Sequence, residues 1–289
     1  MAVAKQYISD VELILSKRHD NGWDYWTTPD KRLIKGSPFT TLDCAYMLKE
    51  LGMDDTEPVL KETTDLILDS WRQDGRFKLS PQGGIYPCHT IHAVRTLCHL
   101  GYASDSRLKK TFEHLMEIQH SDGGWRCNKF SFGRGPETEY SNPGPTLLAL
   151  DAFRFTDSLN KNENLDKAVE FLLMHWEVRK PLGPCHYGMG SLFMQVAYPL
   201  AAYNLFFYVY VLSFFDISKQ DRRFLEAVET LESKLLNGKI VVERPNQKLA
   251  GFNFCKKGEV SDLATERYGE LLKNIGRNHK IKEFNPWKQ

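Results

Sequence analysis

Residues 119–125 read Gln-His-Ser-Asp-Gly-Gly-Trp. A glycine pair after aspartate ends a helix here, because glycine reaches the positive φ that a helix C-terminus calls for. Degraded copies of the signal stand at Asn21-Gly22-Trp23, Asp74-Gly75-Arg76-Phe77 and Asn237-Gly238-Lys239-Ile240. A turn that recurs in this way marks an internal repeat. Prolines keep step with it. Pro38, Pro87, Pro143 and Pro199 each open an apolar run, at spacings of 49, 56 and 56 residues. Proline is at home in the first helical turn, where its missing N–H breaks no bond.

The prolines therefore predict four apolar helices, over 38–51, 87–101, 143–155 and 199–214. Between them lie amphipathic stretches over 5–17, 57–72, 105–120, 164–177 and 219–236. Leu108, Phe112, Leu115 and Ile118 show the helical spacing of their buried stripe. A last amphipathic helix, within 261–275, follows an irregular segment over 240–260. Apolar inner helices alternating with charged outer ones predict an all-α chain. The economical arrangement is an α/α toroid of about five to six helical hairpins, with parallel inner helices around a central apolar cavity. The ring is either incomplete or closed by the C-terminal stretch, and residues 1–289 form one domain.

Composition narrows the class. The 289 residues are 42% hydrophobic and 26% charged, which excludes a disordered, collagenous or coiled-coil chain. Basic and acidic residues number 38 and 37, so no basic excess points to nucleic acid. Lys5, Asp10 and Glu12 interrupt the N-terminal stretch where a secretion signal has its apolar core. A cytoplasmic setting with six reduced cysteines is the expectation. The apolar run 192–215 is long enough to span a bilayer, but Gln195, Pro199 and Asn204 break it. We read it as a buried inner helix, so membrane contact would be peripheral.

The Gln119–Trp125 motif resembles the Gln-Trp repeat of the squalene/oxidosqualene cyclase and protein prenyltransferase superfamily, over roughly residues 10–275. The resemblance implies an α/α toroid and points to an isoprenoid or other hydrophobic substrate. The catalytic patterns do not carry over. The acidic Asp-x-Asp-Asp run of class II terpene cyclases is missing, and Asp54-Asp55 is an isolated pair. The zinc-binding Asp-x-Cys of prenyltransferases is also missing, since Asp43 and Cys44 are adjacent. A fainter similarity is to lanthionine cyclases, toroids that hold zinc with one cysteine and a later Cys-His pair. Cys127 and Cys185-His186 look like that arrangement.

Parallel inner helices bring every outer-to-inner loop to one rim. Cys88-His89 opens the second inner helix, and Cys127 and Cys185-His186 lie in the loops before the third and fourth. Thiolate and imidazole in this number suit a tetrahedral Zn²⁺. The expected ligands are Cys88, Cys127, Cys185 and one of His186 or His89. The alternative treats free cysteines as small buried apolar residues, which suits Cys44, Cys98 and Cys255.

Five residues past each inner proline stand Asp43, His92, Leu148 and Asn204. Equal offsets predict equal depth, so Asp43 and His92 form a candidate catalytic acid/base pair, with Asn204 at their level. The competing reading is a hydrogen-bond network that fixes helix register. Tyr203, Phe207, Tyr210 and Phe214 form an aromatic stripe, expected either to contact substrate or to fill the core. Arg134, in the loop 132–140, is a candidate contact to substrate. Two functions follow from these residues. One is a zinc-dependent prenyltransferase-like or terpene cyclase-like enzyme. The other is a non-catalytic toroid that binds a hydrophobic ligand or a peptide, with structural zinc.

Overall fold

The computed structural model describes residues 3–127 and 135–277. Eleven α-helices stand among them: α1 (Ile8–Ser16), α2 (Thr41–Glu50), α3 (Pro58–Asp69), α4 (Pro87–His99), α5 (Ser106–Glu117), α6 (Pro143–Phe153), α7 (Glu163–Val178), α8 (Leu205–Leu212), α9 (Asp216–Lys219), α10 (Arg222–Glu232) and α11 (Asp262–Asn274). No strand forms among the described residues, only isolated bridges such as Trp71 with Phe77 across the Asp74-Gly75 turn.

Helix α4 packs between α2 and α6, and α6 packs against α8. Each of these has an outer partner: α3 on α2, α5 on α4, α7 on α6 and α10 on α8. Direction follows from what the helix ends share. The N-terminal residues Asp43, His89, Leu148 and Asn204 border one cavity. The more C-terminal Arg95, His99 and Asp151 do not line it and meet in a buried ion cluster beneath it. The inner helices therefore run parallel, and the fold is the expected all-α toroid of helical hairpins.

Closure comes from the chain ends. Helix α11 packs on α8, and its Arg267 reaches Glu50 of α2 with Nη2 at 2.8 Å. Helix α1 packs on α2, and its buried Asp10 accepts the N–H groups of Asn253 and Phe254, both at 2.9 Å. The termini thus complete the ring, and α11 bridges the first and last inner helices rather than lying outside them.

The Gln119–Trp125 motif shows why its residues recur as a unit. Gln119 Nε2 donates to the carbonyls of Gly123 and Asn164, which ties the end of α5 to the start of α7. Asp122 accepts from the N–H and hydroxyl of Ser141, which leads into α6. Trp125 is fully buried and donates from Nε1 to the Leu115 carbonyl at 2.8 Å. Gly123 takes φ +91° and abuts the Lys167 carbonyl, so a β-carbon there has no room.

The first inner helix begins at Thr41, under a Thr40 cap, rather than at Pro38, and the fourth departs further from expectation. It begins at Leu205 rather than Pro199, because the Asn204 side chain caps it by accepting from the Phe207 N–H at 3.1 Å. Residues 199–204 instead form a turn in the cavity wall. All eight residues of α8 are buried, as expected for an inner helix. No described helix is long and apolar enough to cross a membrane.

Beneath the cavity, Asp151 is fully buried and accepts from Arg95 Nε at 2.5 Å, Arg154 Nε at 2.7 Å and His99 Nε2 at 3.0 Å. Burial alone would raise this carboxyl. The charges of Arg154, Arg95 and His99 outweigh it and hold Asp151 well below the usual carboxylate range. Arg95 also donates to the Leu200 carbonyl at 2.6 Å and lies over the rings of Tyr46 and Phe207. It is the strut between the inner helices and the turn that walls the cavity.

Candidate functional site: a thiol cluster beside a cavity

Cys88 lies in the first turn of α4, where Pro87 sets the helix start. Its Sγ stands 3.7 Å from Cys127 Sγ, 39 residues further along the chain. Cys127 follows directly from the Trp125 anchor. Cys185 sits in a tight loop closed by reciprocal backbone bonds between Leu182 and Tyr187, at 2.8 and 3.0 Å. Its N–H donates to Asn142 Oδ1 at 3.1 Å, which pins the loop to the residue before α6.

The Cys88 thiol responds to both of the others. The hydrogen bond to Cys127 and then burial push the Cys88 thiol far up, and the charges of Cys127 and Cys185 add to this. Burial, followed by the same three sulfurs, raises the Tyr187 phenol to about 12. Tyr187 packs on Gly144 of α6. A cation reverses this balance by favouring the thiolates. Among the described residues, no group of three or more His, Cys, Asp or Glu side chains is already gathered as a metal site. The other expected ligands sit differently. His89 reaches the cavity wall and meets Tyr86 edge-on at 5.0 Å, whereas His186 is exposed with φ +51°.

The cavity has a volume of about 1110 Å³ and opens at the same rim. Asp43 and His92 both line it, with His92 Nε2 3.3 Å from Asp43 Oδ1. Thr40 fixes the carboxylate. Its side chain accepts the Asp43 N–H at 3.0 Å, and its hydroxyl donates to Asp43 Oδ2 at 2.8 Å. The cavity is not the uniformly apolar space expected. Ile34, Met47, Leu148 and Leu249 line it together with Gln195, Glu243, Arg244, Lys248 and Lys257. None of the cysteines lines it.

The remaining candidates divide. Tyr203 lines the cavity and its hydroxyl lies 2.8 Å from His175 Nδ1. Asn204 also borders the cavity, but its amide is spent on backbone: Nδ2 donates to Ala202 and Oδ1 caps α8. Phe207 and Tyr210 are buried away from the cavity, under Arg95 and against Glu270, so the stripe is core there. Arg134 lies outside the described residues.

Sequence reasoning missed three contributors. Thr40 was legible as the cap of a Thr-x-x-Asp box. Tyr187 carried no signal of its own. The segment 243–250 supplies one cavity wall, and its irregular composition hid this.

Comparison with protein families finds no match, and neither does comparison with curated proteins. Among solved structures, the chain is similar to a UGL variant with dGlcA-Glc-Rha-Glc, at 16% identity over 91% of this chain and 78% of that one, with a TM-score of 0.48. It is similar to a protein from Actinoplanes at 14% identity over 92% and 82%, TM-score 0.43. A type II terpene cyclase from Scytonema, in complex with geranylgeranyl dihydroxybenzoate, is similar at 11% identity over 92% and 74%, TM-score 0.41.

Proposed function

We propose that the chain is a toroid enzyme of prenyltransferase-like or terpene cyclase-like type that performs acid–base chemistry on a hydrophobic or amphiphilic small molecule in its cavity. The Asp43–His92 pair in the cavity wall carries this reading. A carboxylate only accepts, so the Asp43 side of His92 holds the Nε2 proton and leaves Nδ1 as the basic nitrogen. His92 takes a proton from the bound molecule at Nδ1, and Asp43 stabilises the imidazolium that forms. Thr40 keeps the carboxylate turned toward the ring. Met47, Leu148 and Leu249 seat the apolar part of the substrate.

The same proposal gives Cys88, Cys127 and Cys185 a zinc ion, with His89 or His186 as a further donor. Two thiolates on one tetrahedral zinc, with Zn–S near 2.3 Å, stand about 3.8 Å apart; Cys88 and Cys127 stand at 3.7 Å. When bound, the ion supplies positive charge that stabilises the thiolates and joins three loops. No cysteine lines the cavity, which favours a structural ion and separates it from the proton chemistry. The same observation supports the second reading, a non-catalytic binding toroid.

One experiment separates the two readings. The protein is incubated with a total metabolite and lipid extract, and masses consumed or formed are recorded. An enzyme gives a conversion that disappears in His92→Gln and Asp43→Asn while both variants keep the wild-type circular dichroism. No conversion, with co-purified ligand retained unchanged, selects the binding toroid.

A further inference from the structure

The C-terminal segment places three cations at the cavity mouth: Arg244, Lys248 and Lys257. All three are exposed, and among the described residues no ion pair neutralises any of them. Their backbone is held in place. The N–H groups of Glu243 and Arg244 both donate to the Val196 carbonyl, at 2.9 and 3.0 Å, across the cavity wall. Lys248 is clasped to the opposite side, where its Nζ donates to the Ser37 carbonyl at 2.9 Å. Two carboxylates also line the cavity, and each is already engaged. Glu243 holds Lys234 through both oxygens at 3.1 Å and accepts the Val196 N–H at 2.7 Å. Asp43 belongs to the His92 pair. The mouth therefore carries a positive excess on a chain whose overall charge is only +1. A concave site with one sign of charge concentrates the opposite sign in its ligand.

We propose that Arg244, Lys248 and Lys257 form an anion-recognition rim, and that the cavity's ligand is an amphiphile ending in a carboxylate or phosphate. The anionic end sits at the mouth among the three cations. The apolar body extends inward past Met47 and Leu148. Arg244 presents a planar fork suited to two oxygens of either anion, and the lysines act as point charges. This inference rests on the reading of the cavity as the ligand site and adds the class of molecule to it.

The test uses three probes with the same chain: octyl phosphate, octanoate and n-octanol. Affinities are measured by calorimetry on the full-length protein at low and high salt. Histidine-labelled protein shows by NMR whether His89 and His92, both in the cavity wall, respond. The expected result is at least tenfold tighter binding of the two anions than of octanol, narrowing at high salt. The ratio between phosphate and carboxylate then tells which head group is preferred. In the triple variant Arg244→Gln, Lys248→Gln, Lys257→Gln the anions fall to the affinity of octanol, while octanol itself binds as before. Equal binding of all three probes by the wild type overturns the inference and leaves the cavity reading standing. So does a preference that survives in the triple variant. Failure of every probe to move the cavity histidines overturns both.

Discussion

Replacing Gly144 by alanine tests how the thiol cluster is held. A β-carbon on Gly144 would lie 2.6 Å from Tyr187 Cζ and 3.0 Å from its hydroxyl, with Cε1 closer still. Van der Waals contact needs the ring to retreat by about 1 Å. Tyr187 closes the loop that carries Cys185 through its two backbone bonds to Leu182, so the loop retreats with it. Ligand positions in a metal site tolerate only about 0.2 Å. Gly144→Ala is therefore expected to lower zinc affinity by roughly 10–100-fold, the range found when supports behind metal ligands are lost. Overall stability should change less. Overpacking costs about 1–3 kcal/mol, offset by about 1 kcal/mol from the better helix propensity of alanine. The assay is zinc competition with a chromophoric chelator, run beside a denaturant titration of both proteins. Wild-type zinc affinity in Gly144→Ala refutes the placement of Cys185 in the cluster.

Other perturbations reach other parts of the account. Arg95→Met leaves the buried Asp151 with two partners and the Leu200 carbonyl with one fewer donor. A loss of about 3–5 kcal/mol is expected in denaturant unfolding, and a loss under 1 kcal/mol refutes the strut. His175 is buried, and burial holds it near pKa 4 against an ordinary 6.5. The unfolded chain takes up this proton first as pH falls, so stability is present above 6.5 and drains away toward pH 4. About 2 kcal/mol is gone by pH 5. His175→Gln should flatten that part of the pH profile, and a variant with an unchanged slope contradicts the assignment. Asp10→Ala strips the N–H groups of Asn253 and Phe254 of their acceptor at the ring closure. A cost of about 2–3 kcal/mol is expected, with faster hydrogen exchange at 253–254; unchanged exchange there argues against the latch.

Much of the ring was legible because its punctuation is local. Pro87 and Pro143 start α4 and α6 where they stand in the sequence, since a proline at the first helical position fixes the start without help from tertiary contacts. The Asp-Gly turns behave likewise. Pro199 misled because the run from 192 to 215 is apolar throughout, so hydrophobicity could not separate a wall-forming turn from the helix after it. Asn204, counted as a cavity group, is the cap that marks the true start. Asp43 and His92 were found by equal offset from their prolines, although α2 begins three residues after Pro38 and α4 at Pro87 itself. The approach of Cys88 to Cys127 followed from parallel inner helices alone. The cations at the mouth were not legible, because residues 243–257 have no periodicity and their position depends on backbone bonds to Val196 and on the lysine contact to Ser37.

The central claim is that three separate hairpins deliver Cys88, Cys127 and Cys185 to one metal ion beside the cavity. X-ray absorption at the zinc edge on purified protein measures this directly. The account predicts about one zinc per chain with a sulfur-dominated shell near 2.3 Å, and loss of one sulfur in Cys127→Ser. Protein without zinc, or zinc surrounded only by nitrogen and oxygen, would contradict it.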